Sequence, residues 1–167
     1  MDNKQRAKLF KALENFTSTD KTRPMLHHVY VKGVDRIEAT DGHKLIQVNV
    51  KGGHGLAPGF YDGKKALALL KADVEPQPVP GEPHWEWPDF NRVIPAVREG
   101  VGALWIDISP ALLADCCEGI RGALDALDAP KQGMKVRPGE NEMEPIRFDA
   151  KTWDESEITA VLMPMRV

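Results

Sequence analysis

The chain has 167 residues, 42% apolar and 28% charged, with a net charge of −3 at pH 7. These are globular values for one domain with a real core, and they exclude a protein that coats nucleic acid by charge alone. Met1–Lys11 carries no apolar signal run, no window approaches a membrane span, and the only cysteines, Cys116 and Cys117, are adjacent, so a reducing, cytoplasmic setting is expected.

Lys4–Phe16 reads as a helix. Leu9, Leu13 and Phe16, flanked by Phe10 and Ala12, make its apolar face, and Lys4, Lys8 and Lys11 cluster opposite. Such a cluster is either a solvated face or a contact for an acidic partner. After the polar connection Thr17–Pro24, strand-like runs follow at Met25–Lys32, Val34–Thr40 and His43–Lys51, a β-meander behind a helix. Lys32–Gly33 suits a tight turn. Asp41–Gly42 is the strongest turn signal in the chain, because Asp-Gly supplies the positive φ angles that a two-residue hairpin needs. Gly52–Gly63 is a glycine-rich loop with a short strand at Gly59–Tyr61, and Lys64–Lys71 is a short helix. Ala72–Pro83, with four prolines, is an extended connection. The Trp85–Trp87 pair beside His84 invites base stacking, but no basic patch interleaves it, so packing or an oligomer contact is expected.

The second part repeats the logic of the first. Ala103–Ile108 is a strand, and Ser109–Pro110 is an N-cap followed by proline at the first helical position. The helix runs to about Leu127, burying Leu113, Cys117, Ile120, Leu124 and Leu127, with Asp115, Glu118 and Asp125 facing out. Further strands are expected at Met134–Arg137, Pro145–Asp149 and Ile158–Val167. The last of these is apolar until Arg166. Alternation places Val161, Met163 and Met165 on one side and Ile158, Ala160 and Leu162 on the other, so one side can serve the fold and the other a partner. The fold class is therefore α+β: two halves, each a helix followed by antiparallel strands, with an extra short helix and a proline-rich connection between them.

Three segments, in order, resemble the bacterial replicative sliding clamp, the β subunit of DNA polymerase III. Arg23-Pro24-Met25-Leu26 followed by EATDGHKL (38–45) is similar to the middle clamp domain's arginine, leucine strand and ATDGHRL hairpin. WPDFNRVIP (87–95) is similar to that domain's closing FPDYRRVLP, and VLMPMRV (161–167) to the family's carboxyl-terminal VMPMRL. Family members are far longer and hold three copies of a domain, each built from two helix-plus-strands halves. The resemblance implies a truncated, single-domain, DNA-clamp-like relative. Residues 1–95 would match the first part of the middle domain and 102–167 the second half of the final one, with Gly59–Lys71 like the start of the middle domain's second half.

In the family, a groove beside the junction of those two domains receives short linear peptides from polymerases, the clamp loader and repair proteins. Carried over position by position, its lining here would be Leu26 from the first strand and Thr40, Gly42, His43, Lys44 and Leu45 from the hairpin. Pro88, Arg92 and Val93 would follow from the next segment, and Val161, Met163, Pro164, Met165 and Arg166 from the tail. Lys44, Arg92 and Arg166 would be basic groups at its rim. Lys44 and Asn91 stand where the family has arginine, and His27-His28 replaces a polar-Gly pair, which bears on ligand preference.

The expected function is non-enzymatic: a clamp-like protein of DNA replication, of the kind a phage or mobile element could use as adaptor, decoy or minimal clamp. Its partners would be clamp-binding peptides of replication and repair proteins, with no cofactor, metal or membrane. The alternative is a homo-oligomeric ring around double-stranded DNA, acting as a processivity factor, with Lys4, Lys8 and Lys11 on phosphates. Against it, the acidic outward face of the second helix offers only Arg121. A small metal- or His-dependent hydrolase using Asp41, His43 and His27 or His28 is the reading from another class. Asp41 is already explained by its turn, and neither an HExxH motif nor a Cys-His ligand spacing is present.

Overall fold

A computed structural model describes residues 1–81, 85–94, 109–129, 132–137 and 144–163. The first helix begins at a reciprocal cap: the Asp2 carboxylate accepts the Gln5 amide at 2.7 Å, and the Gln5 side chain accepts the Asp2 amide at 3.0 Å. From there α1 runs Asn3–Leu13 and tightens into a 3₁₀ turn, Glu14–Phe16. Asp62 caps α2 (Gly63–Lys71), and Ser109 caps α3 (Pro110–Ala126), with Pro110 at the position where a missing N–H costs nothing.

The strands are β1 (Val29–Lys32), β2 (Arg36–Thr40), β3 (Lys44–Asn49), β4 (Gly59–Tyr61), β5 (Met134–Arg137), β6 (Ile146–Lys151) and β7 (Glu157–Leu162). Among the described residues they form one antiparallel sheet in the order β4-β1-β2-β3-β7-β6-β5. The α+β class and the two helix-plus-strands halves are thus as the sequence indicates. The halves meet where β3 pairs with β7, from Lys44 opposite Leu162 to Asn49 opposite Glu157.

Strand alternation sorts the side chains cleanly. Val31, Ile37, Val48, Ile158 and Ala150 make one cross-sheet row, and Ala39, Ile46, Ala160 and Phe148 the next. All of these are buried in the main core with residues of the three helices. The other side of β7 carries Val161, which is buried in a separate small cluster with Leu45 and Phe90.

Helices α1 and α3 lie close because α3 presents glycines to α1. A Cβ at Gly119 would overlap the Phe16 ring, and one at Gly122 would come within 2.9 Å of the Ala12 Cβ. This close packing rotates the buried face of α3 from the one read in the sequence. Cys116, Gly119, Ile120, Ala123, Leu124 and Ala126 are buried, whereas Leu113, Cys117 and Leu127 are only half-buried. Burial pushes the Cys116 thiol up to about 12, so it behaves as a small apolar side chain.

Other boundaries shift for local reasons. Pro24–His27 is a 3₁₀ turn, opened by proline, so β1 starts only at Val29. β2 begins at Arg36 rather than Val34, because Gly33, at φ +80°, and the next two residues form a three-residue connection. The second hairpin has a four-residue connection rather than two: Thr40 pairs with Leu45, and the Asp41 carboxylate accepts the His43 and Lys44 amides at 2.8 and 2.9 Å. Downstream, β6 runs on to Lys151. The proline-rich connection covers the β4 edge, where the Val79 amide donates to the Phe60 carbonyl at 2.7 Å. The strand expected at Ala103–Ile108 and the last four residues of the tail lie outside the described residues. No helix among the described residues is long and apolar enough to cross a membrane.

Candidate functional site

On the side of the sheet away from the helices, the chain from Trp85 to Ile94 lies across the strands. Rings hold it there. Tyr30 of β1 and Phe60 of β4 stack at 4.9 Å between centroids, Trp87 sits 5.1 Å from Tyr30, and Trp85 lies 5.1 Å from Phe60 and 5.0 Å from His28. The tryptophan pair therefore serves as packing.

One polar contact fixes the position of this strap along the sheet. The Trp87 Nε1–H donates to the Glu38 carboxylate at 2.8 Å. Glu38 is fully buried, and burial holds its carboxyl above the ordinary carboxylate range, with the Trp87 bond opposing that shift. Beyond Trp87 the strap makes a 3₁₀ turn, Phe90–Arg92, capped by Asp89, which puts Phe90 against Leu45 and Val161.

Here the strap, the β2–β3 hairpin and the end of β7 enclose a groove of about 260 Å³. Leu45 and Val161 are cross-strand neighbours and form its floor with Phe90, while Met163 stands partly buried beside them. Thr40 lines the groove, but its hydroxyl donates to the Lys44 carbonyl at 2.8 Å and accepts the Gly42 amide at 3.1 Å. The floor is consequently apolar in chemistry. Gly42, at φ +92°, turns the hairpin tightly enough for the Arg23 guanidinium to pass; a Cβ there would stand 3.0 Å from its Nη1.

The lining is Arg23, Leu26, Thr40, Gly42, His43, Lys44, Leu45, Pro88, Phe90, Val93, Val161 and Met163. Three sequence-distant segments thus converge on one hollow. Two of the expected members behave differently. Arg92 is absent from the lining: its side chain is 86% exposed and lies 3.5 Å from the Asp89 carboxylate within its own 3₁₀ turn.

Lys44 borders the groove, but its side chain lies on the helix side, its ammonium 3.1 Å from Asp115 of α3 and 3.3 Å from Asp41. It sits 6.0 Å from the Phe16 ring centroid and is buried, so it is not a basic group at the rim. The reason is strand parity, since Lys44 shares the helix-facing side with Ile46. Leu26 reaches the groove from the 3₁₀ turn rather than from a strand. Pro164, Met165 and Arg166 lie outside the described residues. Sequence reading missed Arg23 and Phe90, although both stand inside segments it had singled out.

The histidines are used locally. His27 Nε2 lies 2.6 Å from the Asp20 carbonyl and His28 Nδ1 3.0 Å from the Pro24 carbonyl. The described residues hold no group of three or more His, Cys, Asp or Glu that could hold a metal ion.

Lys4, Lys8 and Lys11 lie on α1, on the opposite side of the molecule from the groove. Lys8 donates to the Asp125 carbonyl of α3 at 3.3 Å. Lys8 and Lys11 share a shallow hollow with Lys64 and Arg121, but Glu14, Glu118 and Asp125 stand among them. Charge there is mixed rather than basic.

No family model matches the sequence, and no curated protein does. Solved structures do match the fold over the whole chain. The beta sliding clamp of C. crescentus superposes with a TM-score of 0.65 at 17% identity, with 64% of that chain covered. The DNA polymerase III beta chain of Streptococcus pneumoniae gives 0.58 at 14% identity, with 64% covered. The sliding clamp of Bartonella birtlesii gives 0.57 at 15%, with 65% covered. The chain therefore has the sliding-clamp fold and spans just under two thirds of the length of these clamps.

Proposed function

We propose that the chain is a non-enzymatic, clamp-fold protein of DNA replication whose groove takes a short linear peptide with apolar anchors, as carried by polymerase, loader or repair proteins. The observation that carries this reading is the groove itself. Ten of the residues expected from the resemblance line one apolar hollow, on the sheet face that the helices leave open. Its 260 Å³ falls short of the usual range for a small-molecule site and suits one or two side chains, a leucine and an aromatic. Met163 at its edge adapts to varied shapes.

Solved neighbours of the same fold carry bound molecules, which fits a ligand-binding role in general. The Bartonella birtlesii clamp was solved bound to griselimycin, and the C. crescentus clamp with PEG bound to its putative beta-motif tethering region. In this reading residues 1–95 and 102–167 stand for parts of the middle and final clamp domains, brought together by the β3–β7 ladder. A ring around DNA has weaker support, because carboxylates interrupt the cations of the helix face.

Fluorescence anisotropy with a labelled peptide containing a leucine and an aromatic tests the groove. Saturable binding is expected, weakened about tenfold by Met163→Ala. Absence of saturation, or equal affinity after that substitution, overturns the assignment.

A further inference from the structure

We propose that the peptide taken by this groove carries acidic residues beside its apolar anchors, held by a basic patch on β5, β6 and β7. The inference rests on the groove reading above and adds the chemistry of the partner. Register supplies the first observation. Val161, in the groove floor, stands directly opposite Arg147 of β6, and Arg147 stands opposite Arg137 of β5. All three side chains project from the same face of the sheet. The groove floor therefore runs without a step into a second hollow, of about 300 Å³.

That hollow is charged where the groove is apolar. Lys135, Arg137, Arg147 and Lys151 line it against the carboxylates Asp149 and Glu157, an excess of cations on a chain whose total charge is −3. Asp149 organises the patch. Its oxygens accept Arg147 Nε at 2.8 and 2.9 Å, Arg137 Nε at 3.3 Å and the Thr159 hydroxyl at 3.0 Å. One carboxylate thus orients two guanidiniums beside the exposed Lys135.

Distance favours a single ligand for both hollows. Two strand spacings, about 10 Å, separate β7 from β5, which an extended peptide covers in about three residues. A nucleic-acid backbone fits less well, because nothing in it would fill the apolar groove that adjoins the patch.

The test compares three labelled peptides with the same leucine and aromatic anchors: one with glutamates on the amino-terminal side, one with glutamates on the carboxyl-terminal side, and one with glutamines throughout. One glutamate version is expected to bind about three- to tenfold tighter than the glutamine version at low salt, the advantage fading toward 1 M salt. The double substitution Lys135→Gln with Arg137→Gln should erase that advantage while the glutamine peptide binds as before, which also shows that the variant is folded. Equal binding of all three peptides to the unaltered protein overturns the patch and leaves the groove standing. Binding of none overturns both. Displacement of the glutamate peptide by duplex DNA, with the glutamine peptide unaffected, overturns the assignment to a peptide.

Discussion

The two faces of the sheet are built from the same strands in different chemistries. On the helix side, Phe16, Ala12, Gly119 and Gly122 bring α1 and α3 so close that even a methyl group on either glycine would crowd its neighbour. On the strap side, half-buried rings and the Trp87–Glu38 hydrogen bond hold the strap over a small apolar hollow. The helix side is close-packed and intolerant of change; the strap side leaves room for something else to fill. Stability and binding should therefore separate by face.

The largest effect belongs to the helix side. Phe16→Ala removes a fully buried ring from the α1–α3 contact and should cost about 3–5 kcal/mol in denaturant unfolding. A loss below about 1 kcal/mol would break the contrast between the faces. Next, on the strap side, Trp87→Phe keeps an aromatic ring but takes the hydrogen-bond donor from Glu38, leaving the buried carboxyl to the Arg36 guanidinium, 3.9 Å away. About 1–3 kcal/mol should be lost, together with peptide affinity as the strap loosens. Unchanged affinity would mean that the strap does not set the groove wall.

Lys44→Met should cost about 1 kcal/mol or less, because Asp115 is 54% exposed and water can replace its partner. The stem of the new side chain still fills the space under β3. A larger loss would make this ion pair, rather than the core, the tie between the hairpin and α3.

The smallest effect is one of pH. Burial raises the Glu38 carboxyl above its ordinary 4.5, so the folded chain holds that proton more tightly than the unfolded one. The stability from this group is full below pH 4.5 and is lost as pH rises through the raised value. Glu38→Gln keeps an acceptor for Trp87 and should flatten that limb. A difference between the two proteins confined to pH below 4.5 would reverse the sign and refute it.

Much of this contrast was legible in the chain. Period-two alternation in the last strand already separated Ile158, Ala160 and Leu162 from Val161 and Met163, and the two sets do enter different clusters. Ser109-Pro110 marked the start of α3, since a cap and a proline leave the backbone few alternatives. The face of α3 was read only in part: Ile120 and Leu124 are buried as expected, whereas Cys116, Gly119, Ala123 and Ala126 take the closest positions in place of Leu113, Cys117 and Leu127. Counting large apolar residues overlooks glycine and alanine, which let the helix sit closest to its neighbour without announcing themselves by size.

At the groove, position along the motifs was readable and partner identity was not. Lys44 belongs to a segment that lines the hollow, but its charge answers Asp115, 71 residues away, and no local pattern encodes that. The Trp87–Glu38 bond spans 49 residues and was equally silent. Arg23 and Phe90 could have been found. The first stands just before the turn that carries Leu26, and the second is the aromatic at the centre of WPDFNRVIP.

The β3–β7 ladder has a consequence for how the molecule is made. Its partners are more than a hundred residues apart, and among the described residues no other strand pair joins the two halves. During synthesis β3 emerges long before β7, and until then it offers a bare apolar edge in what becomes the middle of the sheet. Closing that gap requires a long loop to lose its freedom before any ladder bond repays it, so refolding should be slow for a chain of this size. The same strand that completes the groove floor is the one that ends the period in which the nascent protein is prone to stick to its neighbours.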